Sequence, residues 1–146
     1  INYVCDPYLP AAGDKLAGGH APIRYYKMGL VDGPGNPHQM ALAGFFLLDG
    51  AFHQQIPEKP SYPNRERGNV LIHCRAGRSR SVAIAALYLR HRQPQLYPSL
   101  QAAIDVIRER RELQPEEWFE TPKPSLLEAI AKANRMLDLL ARKGLA

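Results

Sequence analysis

Cys74 and Arg80 bracket the run His73-Cys74-Arg75-Ala76-Gly77-Arg78-Ser79-Arg80-Ser81, and their side chains together suit one kind of chemistry. A cysteine attacks only as its thiolate, and N–H dipoles converging on the sulfur lower the pKa of the thiol. The guanidinium of Arg80 can grip two oxygens of a tetrahedral oxyanion at once, a fork that the point charge of lysine cannot match. Ser81 can donate a hydrogen bond to the sulfur when it departs as thiolate. Gly77, at mid-run, permits a backbone turn that a Cβ would obstruct.

These residues need a scaffold that turns sharply. Val70 to Ile72 is a short apolar run of β-branched character and predicts a buried strand, whereas Val82 to Leu89 is rich in Ala and Leu and predicts a buried helix. A loop caught between a strand's carboxyl end and a helix's amino end aims several N–H groups into one concavity, and the helix dipole adds partial positive charge. The loop from Cys74 to Arg80 is therefore an anion cradle, with Arg75, Ala76, Gly77, Arg78, Ser79 and Arg80 as the residues that would surround a phosphate.

The same nine residues resemble the phosphate-binding loop of the cysteine-dependent protein tyrosine phosphatase superfamily, and Ala76-Gly77-Arg78-Ser79-Arg80-Ser81 is similar to the form found in its dual-specificity branch. The resemblance implies an α/β fold in which a central, mostly parallel sheet is flanked by helices. It also implies hydrolysis through a cysteinyl-phosphate intermediate without a cofactor: Cys74 as nucleophile, Arg80 as phosphate clamp and Ser81 as the group that eases thiolate departure. The implied substrates are phosphotyrosine and phosphoserine or phosphothreonine in proteins. The loop is similar also to that of mitochondrial-type phosphatidylglycerophosphate phosphatases, and Arg75, Arg78 and Arg80 would suit a multiply anionic head group, so phospholipids and phosphoinositides form the alternative. A phosphate-reading module without turnover fits less well, because Cys74, Arg80 and Ser81 are all present. A rhodanese-like sulfurtransferase also uses a Cys loop, but Arg80-Ser81 after a five-residue spacer suits phosphate better.

Members of the family also use an aspartic acid on a separate loop that follows a strand, because protonating the leaving oxygen is worth about 10²–10⁴-fold. Asp32 occupies that context, between the expected strand Ile23 to Val31 and the turn Gly33-Pro34-Gly35-Asn36-Pro37; Asp49, inside a helical pattern, is the runner-up. The Trp-Pro-Asp acid loop of classical tyrosine phosphatases is missing, and Pro115 is followed by Glu116 where the dual-specificity branch carries Pro-Asn. In some inositol-lipid phosphatases of the superfamily a Cys ending an early strand traps the nucleophile as a disulfide. Cys5, at the end of Ile1-Asn2-Tyr3-Val4, is the matching candidate for a redox partner of Cys74.

The chain of 146 residues suits a single domain, and because it begins with Ile1 rather than Met, a leader or an upstream strand can precede it. Two cysteines are too few for a disulfide framework, and a thiolate catalyst suits the reducing cytoplasm. No apolar run approaches the roughly 20 residues of a membrane span. The net charge of +5 favours anionic partners, of which phosphorylated protein or anionic phospholipid is expected and nucleic acid is not; oligomeric state is not legible. The five histidines are scattered without the close Cys/His spacing of a zinc site, so no metal is expected, and His73 is assigned to fixing the loop.

Helical spacing predicts a helix over His38 to Phe52 with Met40, Ala43, Phe46, Leu47 and Gly50 on its inner stripe. Others are predicted from Ser79 to about Arg92, from a start at Pro98-Ser99-Leu100 to a last turn with Arg108, Arg110 and Arg111, where cations favour the dipole, and from Ser125, as N-cap, to about Lys143, with Gly144 as the stop. Residues 11–21 and 56–68 are expected to be loops.

Overall fold

The computed structural model describes residues 2–4, 25–55, 57–58, 69–118 and 121–145. The expected loops at 11–21 and, for the most part, 56–68 lie outside these residues, as does Cys5 with its suggested redox role.

The described chain is mostly helix. Helix α1 spans His38–His53, α2 Arg80–Arg92, α3 Leu100–Arg110, α4 Pro115–Trp118 and α5 Pro124–Arg142. The strands are three residues each: β1 Asn2–Val4, β2 Tyr25–Lys27 and β3 Leu71–His73, with β1 pairing in parallel with both of the others. This corrects the expectation of a central sheet flanked by helices. None of Tyr26 and Lys27 in β2 or Leu71, Ile72 and His73 in β3 is fully buried, and Leu71 is 56% exposed. Of the strand expected over residues 23–31, Tyr25–Lys27 form β2, and it stops short of Val31, where the Leu30 N–H turns back onto the Met28 carbonyl at 3.1 Å. Burial is supplied instead by helices, which satisfy their own backbone groups and need only apolar faces to pack.

Helix α2 takes the centre. Ala83, Ile84 and Leu87 face a cluster formed with Ala41, Phe45 and Leu48 of α1, Leu126, Ile130, Ala133 and Leu137 of α5, and Met28 and Leu30 beyond β2. Its other side, through Val82 and Ala86, packs on Ala103 and Ile104 of α3 and on Tyr97. Few polar positions interrupt α2 before its last turn, where Arg90, His91 and Arg92 favour the negative end of the dipole.

Two boundaries carry distinct physics. Helix α5 starts one residue earlier than expected, with Pro124 at its first turn and Lys123 as cap, so Ser125 is not the N-cap. It ends as expected: Gly144 takes φ +68°, its N–H reaches the Ala141 carbonyl at 3.0 Å and the Leu145 N–H reaches Leu140 at 2.9 Å, the paired bonds of a Schellman motif. In α1 the buried face is Ala41, Gly44, Phe45, Leu48 and Ala51, while Ala43, Phe46 and Gly50 are exposed. The helix is apolar around most of its circumference, so periodicity does not fix its phase. Among the described residues no helix is long and apolar enough to cross a membrane.

Asp49 has a structural task. Arg92 Nε and Nη2 each donate to one of its carboxylate oxygens at 2.7 Å, tying α1 to α2. Both partners are partly solvated, so the pair is worth at most about 1 kcal/mol. Asp49→Asn is expected to lower unfolding stability by about 0.5–1 kcal/mol in urea melts, with a smaller loss in high salt, where the attraction is screened.

Candidate active site

The cradle forms where β3 gives way to α2. His73 ends the strand, Cys74 follows, and the chain turns through Gly77, at φ +68°, into the first turn of α2 at Arg80. The half-buried sulfur of Cys74 accepts the Gly77 N–H at 3.2 Å and lies 3.3 Å from the Ser81 hydroxyl, which donates to it when the sulfur is a thiolate. Burial pushes the thiol up. The Ser81 hydroxyl and the N–H groups of Ser81, Gly77 and Ser79 outweigh that cost, and the thiol sits below its ordinary range.

Arg80 is 6% exposed at the start of α2. Its Nη1 donates to the Leu30 carbonyl at 3.5 Å, its Nε meets no hydrogen-bond partner, and among the described residues no carboxylate pairs with it. An unpaired buried guanidinium is costly, and a bound anion is what would relieve it.

The remaining loop residues divide by task. Arg75, Ala76 and Gly77 line a cavity of about 410 Å³ with His73, Cys74 and Ser81. His73 thus contributes a wall of the cavity. Ser79 is buried, and its hydroxyl accepts the Lys123 N–H at 3.2 Å instead of capping α2. That bond joins the cradle to the start of α5. Arg78 turns outward to Glu117 of α4 at 3.6 Å. Glu117 also accepts the Gln114 N–H at 3.0 Å, so the segment after Pro115, where Pro-Asn was absent, packs toward the cradle through a glutamate.

Asp32 lies exposed in the bend after β2, two residues beyond the Leu30 carbonyl that Arg80 contacts, and is not a wall of the cavity. Asn36 shapes its loop. The Asn36 side chain accepts the Val31 N–H at 2.9 Å and donates to the carbonyls of Val31 at 2.8 Å and Gly33 at 3.0 Å. Asp49 stands apart, engaged with Arg92.

Beside Glu117, two further contributors escaped sequence reasoning. Asn36 looked like one more turn residue, although Asn bonding to nearby backbone is a known device of such loops. Sequence spacing gives Arg111 only the task of complementing the dipole of α3, yet it lines the cavity and donates to the Gly77 carbonyl. Only tertiary packing reveals that contact. Among the described residues no group of three or more His, Cys, Asp or Glu side chains could hold a metal ion. No protein-family model matches the chain, and no solved structure matches it with significance.

Because its pKa is lowered, Cys74 is expected to react with iodoacetamide at pH values where an ordinary thiol is protonated. Ser81→Ala removes a donor to the thiolate, so the midpoint of the rate-versus-pH curve should move upward. A midpoint unchanged by that substitution would contradict the role given to Ser81.

Proposed function

We propose that the chain is a phosphomonoester hydrolase that works through a cysteinyl-phosphate intermediate and dephosphorylates phosphotyrosine, and phosphoserine or phosphothreonine, in proteins. The observation that carries this reading is the pairing of a thiol biased toward thiolate with a buried guanidinium that has no carboxylate partner among the described residues. A phosphate ester supplies what both groups require: an electrophilic phosphorus for the sulfur and oxygens for the fork.

In this reading the Cys74 thiolate attacks phosphorus, the P–O bond to the leaving group breaks, and Asp32 delivers a proton to the departing oxygen. Water then attacks the cysteinyl phosphate, with the Asp32 carboxylate taking its proton. The S–P bond breaks, releasing inorganic phosphate and a thiolate that the Ser81 hydroxyl stabilises. Arg80 and the loop N–H groups hold the equatorial oxygens, which carry the negative charge, through both steps. A thiolate of this kind is kept active in a reducing compartment, and we place the enzyme in the cytoplasm.

One observation favours a second reading, an anionic phospholipid as substrate. Leu71, Ile72, Val82, Ala85 and Ile107 give the cavity apolar walls beside Arg75 and Arg111. Purified protein assayed on phosphotyrosyl and phosphothreonyl peptides, phosphoinositides and phosphatidylglycerophosphate separates the two readings by relative kcat/KM.

Cys74→Ser is expected to abolish turnover while retaining vanadate binding, because Arg80 and the N–H groups remain; turnover near the wild-type rate would remove the covalent mechanism. Arg80→Lys should fail nearly as badly as Arg80→Ala, since the fork matters more than the charge.

Asp32→Asn should cut kcat by about 10²–10⁴-fold on alkyl phosphates and much less on nitrophenyl phosphate, whose leaving group hardly needs the proton. Equal losses on both substrates would take the acid's role from Asp32.

A further inference from the structure

The most permissive residue of the cradle is gripped from outside it. Gly77, at φ +68°, has the backbone freedom that only glycine enjoys, and left alone its two flanking peptide planes could each rotate. One of those planes carries the N–H that donates to Cys74 Sγ at 3.2 Å, and the other carries the carbonyl to which Arg111 Nη1 donates. In a trans peptide the carbonyl and the following N–H point opposite ways. A carbonyl held toward α3 therefore turns the Arg78 N–H away from α3.

The end of α3 is built to hold Arg111 in place. Helix α3 packs on α2 through Ala103 and Ile104, which fixes its distance from the cradle. It closes with the Leu113 N–H on the Arg108 carbonyl at 3.1 Å and the Glu112 N–H on the Glu109 carbonyl at 2.9 Å. That closure places Glu112 at φ 53°, a position usually given to glycine. A residue with a Cβ persists there when its surroundings determine it. Arg108, in the same turn, donates to the Thr121 carbonyl and lies over the Trp118 ring at 5.4 Å.

We propose that Arg111 is a positioning residue of the hydrolase: by holding the Gly77 carbonyl it fixes the Gly77–Arg78 peptide plane, next to the Ala76–Gly77 plane whose N–H donates to Cys74, and so keeps the cradle's N–H groups set for the thiolate and the bound anion. The assignment rests on the phosphatase reading for its effect on turnover, but its effects on the thiol and on anion binding can be measured without any substrate. Arg111 is exposed and also lines the cavity, so two other roles make different predictions. A residue that only contacts substrate alters KM. A charge acting only through solvent loses its effect on the thiol in 1 M salt, where the screening length is about 3 Å.

The test uses the full chain with Arg111→Ala and Arg111→Lys, the latter keeping a donor on a long stem. Melting temperature and circular dichroism confirm folding, and Arg111→Lys supplies the comparison should Arg111→Ala fold poorly. Arg111→Ala is expected to raise the midpoint of Cys74 alkylation at both 0.1 M and 1 M salt and to weaken binding of inorganic vanadate. It should also lower kcat about tenfold, the scale of one hydrogen bond to a charged group, with KM little changed. Arg111→Lys should recover most of each loss. The proposal is overturned if the midpoint stays at the wild-type value, if its shift disappears in 1 M salt, or if KM alone rises. Should the wild type hydrolyse no phosphomonoester, the proposed function fails, while the midpoint and vanadate measurements still decide the role of Arg111.

Discussion

A guanidinium at the first residue of a helix sits at the wrong end of the dipole, and burying it adds a desolvation cost on the order of several kcal/mol. Arg80 accepts both penalties. It is held there because α2 is enclosed on two sides, by α1 and α5 through Ala83, Ile84 and Leu87, and by α3 through Val82 and Ala86. Given that packing, the residue opening α2 has little choice but to be buried. The chain uses this position for the one side chain whose charge an anion can neutralise with two hydrogen bonds.

The same constraint explains why the site depends on helices more than on strands. The short strand β3 delivers the chain to Cys74, but none of its side chains is buried. The loop is fastened instead by contacts from elsewhere in the fold: Arg80 to the Leu30 carbonyl, Ser79 to the start of α5, Arg78 to Glu117 of α4 and Gly77 to Arg111 after α3. Each is modest alone. Together they hold donors around the sulfur that free rotation of a glycine-containing loop would scatter.

How much of this was legible in the sequence follows from how local each feature is. The sulfur's donors lie within seven residues of Cys74, so spacing alone brought Cys74, Gly77 and Ser81 together, and helices α2, α3 and α5 follow from apolar spacing bounded by Pro and Gly. The phase of α1 was hidden because Met40, Leu42 and Leu47 flank its buried face as half-buried apolar residues, and Ala43 and Phe46 keep even the exposed face partly apolar. The central sheet was an expectation from resemblance rather than from the strands themselves, and their brevity and exposure overturn it. The roles of Asn36, Glu117 and Arg111 arise from contacts made only after folding, for which no spacing rule exists. Asp32 was reached by loop context, and the bond from Arg80 to Leu30 brings the start of its loop to the cradle.

The bond between the Ser79 hydroxyl and the Lys123 N–H spans 44 positions of sequence. It satisfies one of the orphan donors at the amino end of α5, the last helix described. The loop's final shape thus waits on the docking of a segment made tens of residues after Cys74 itself.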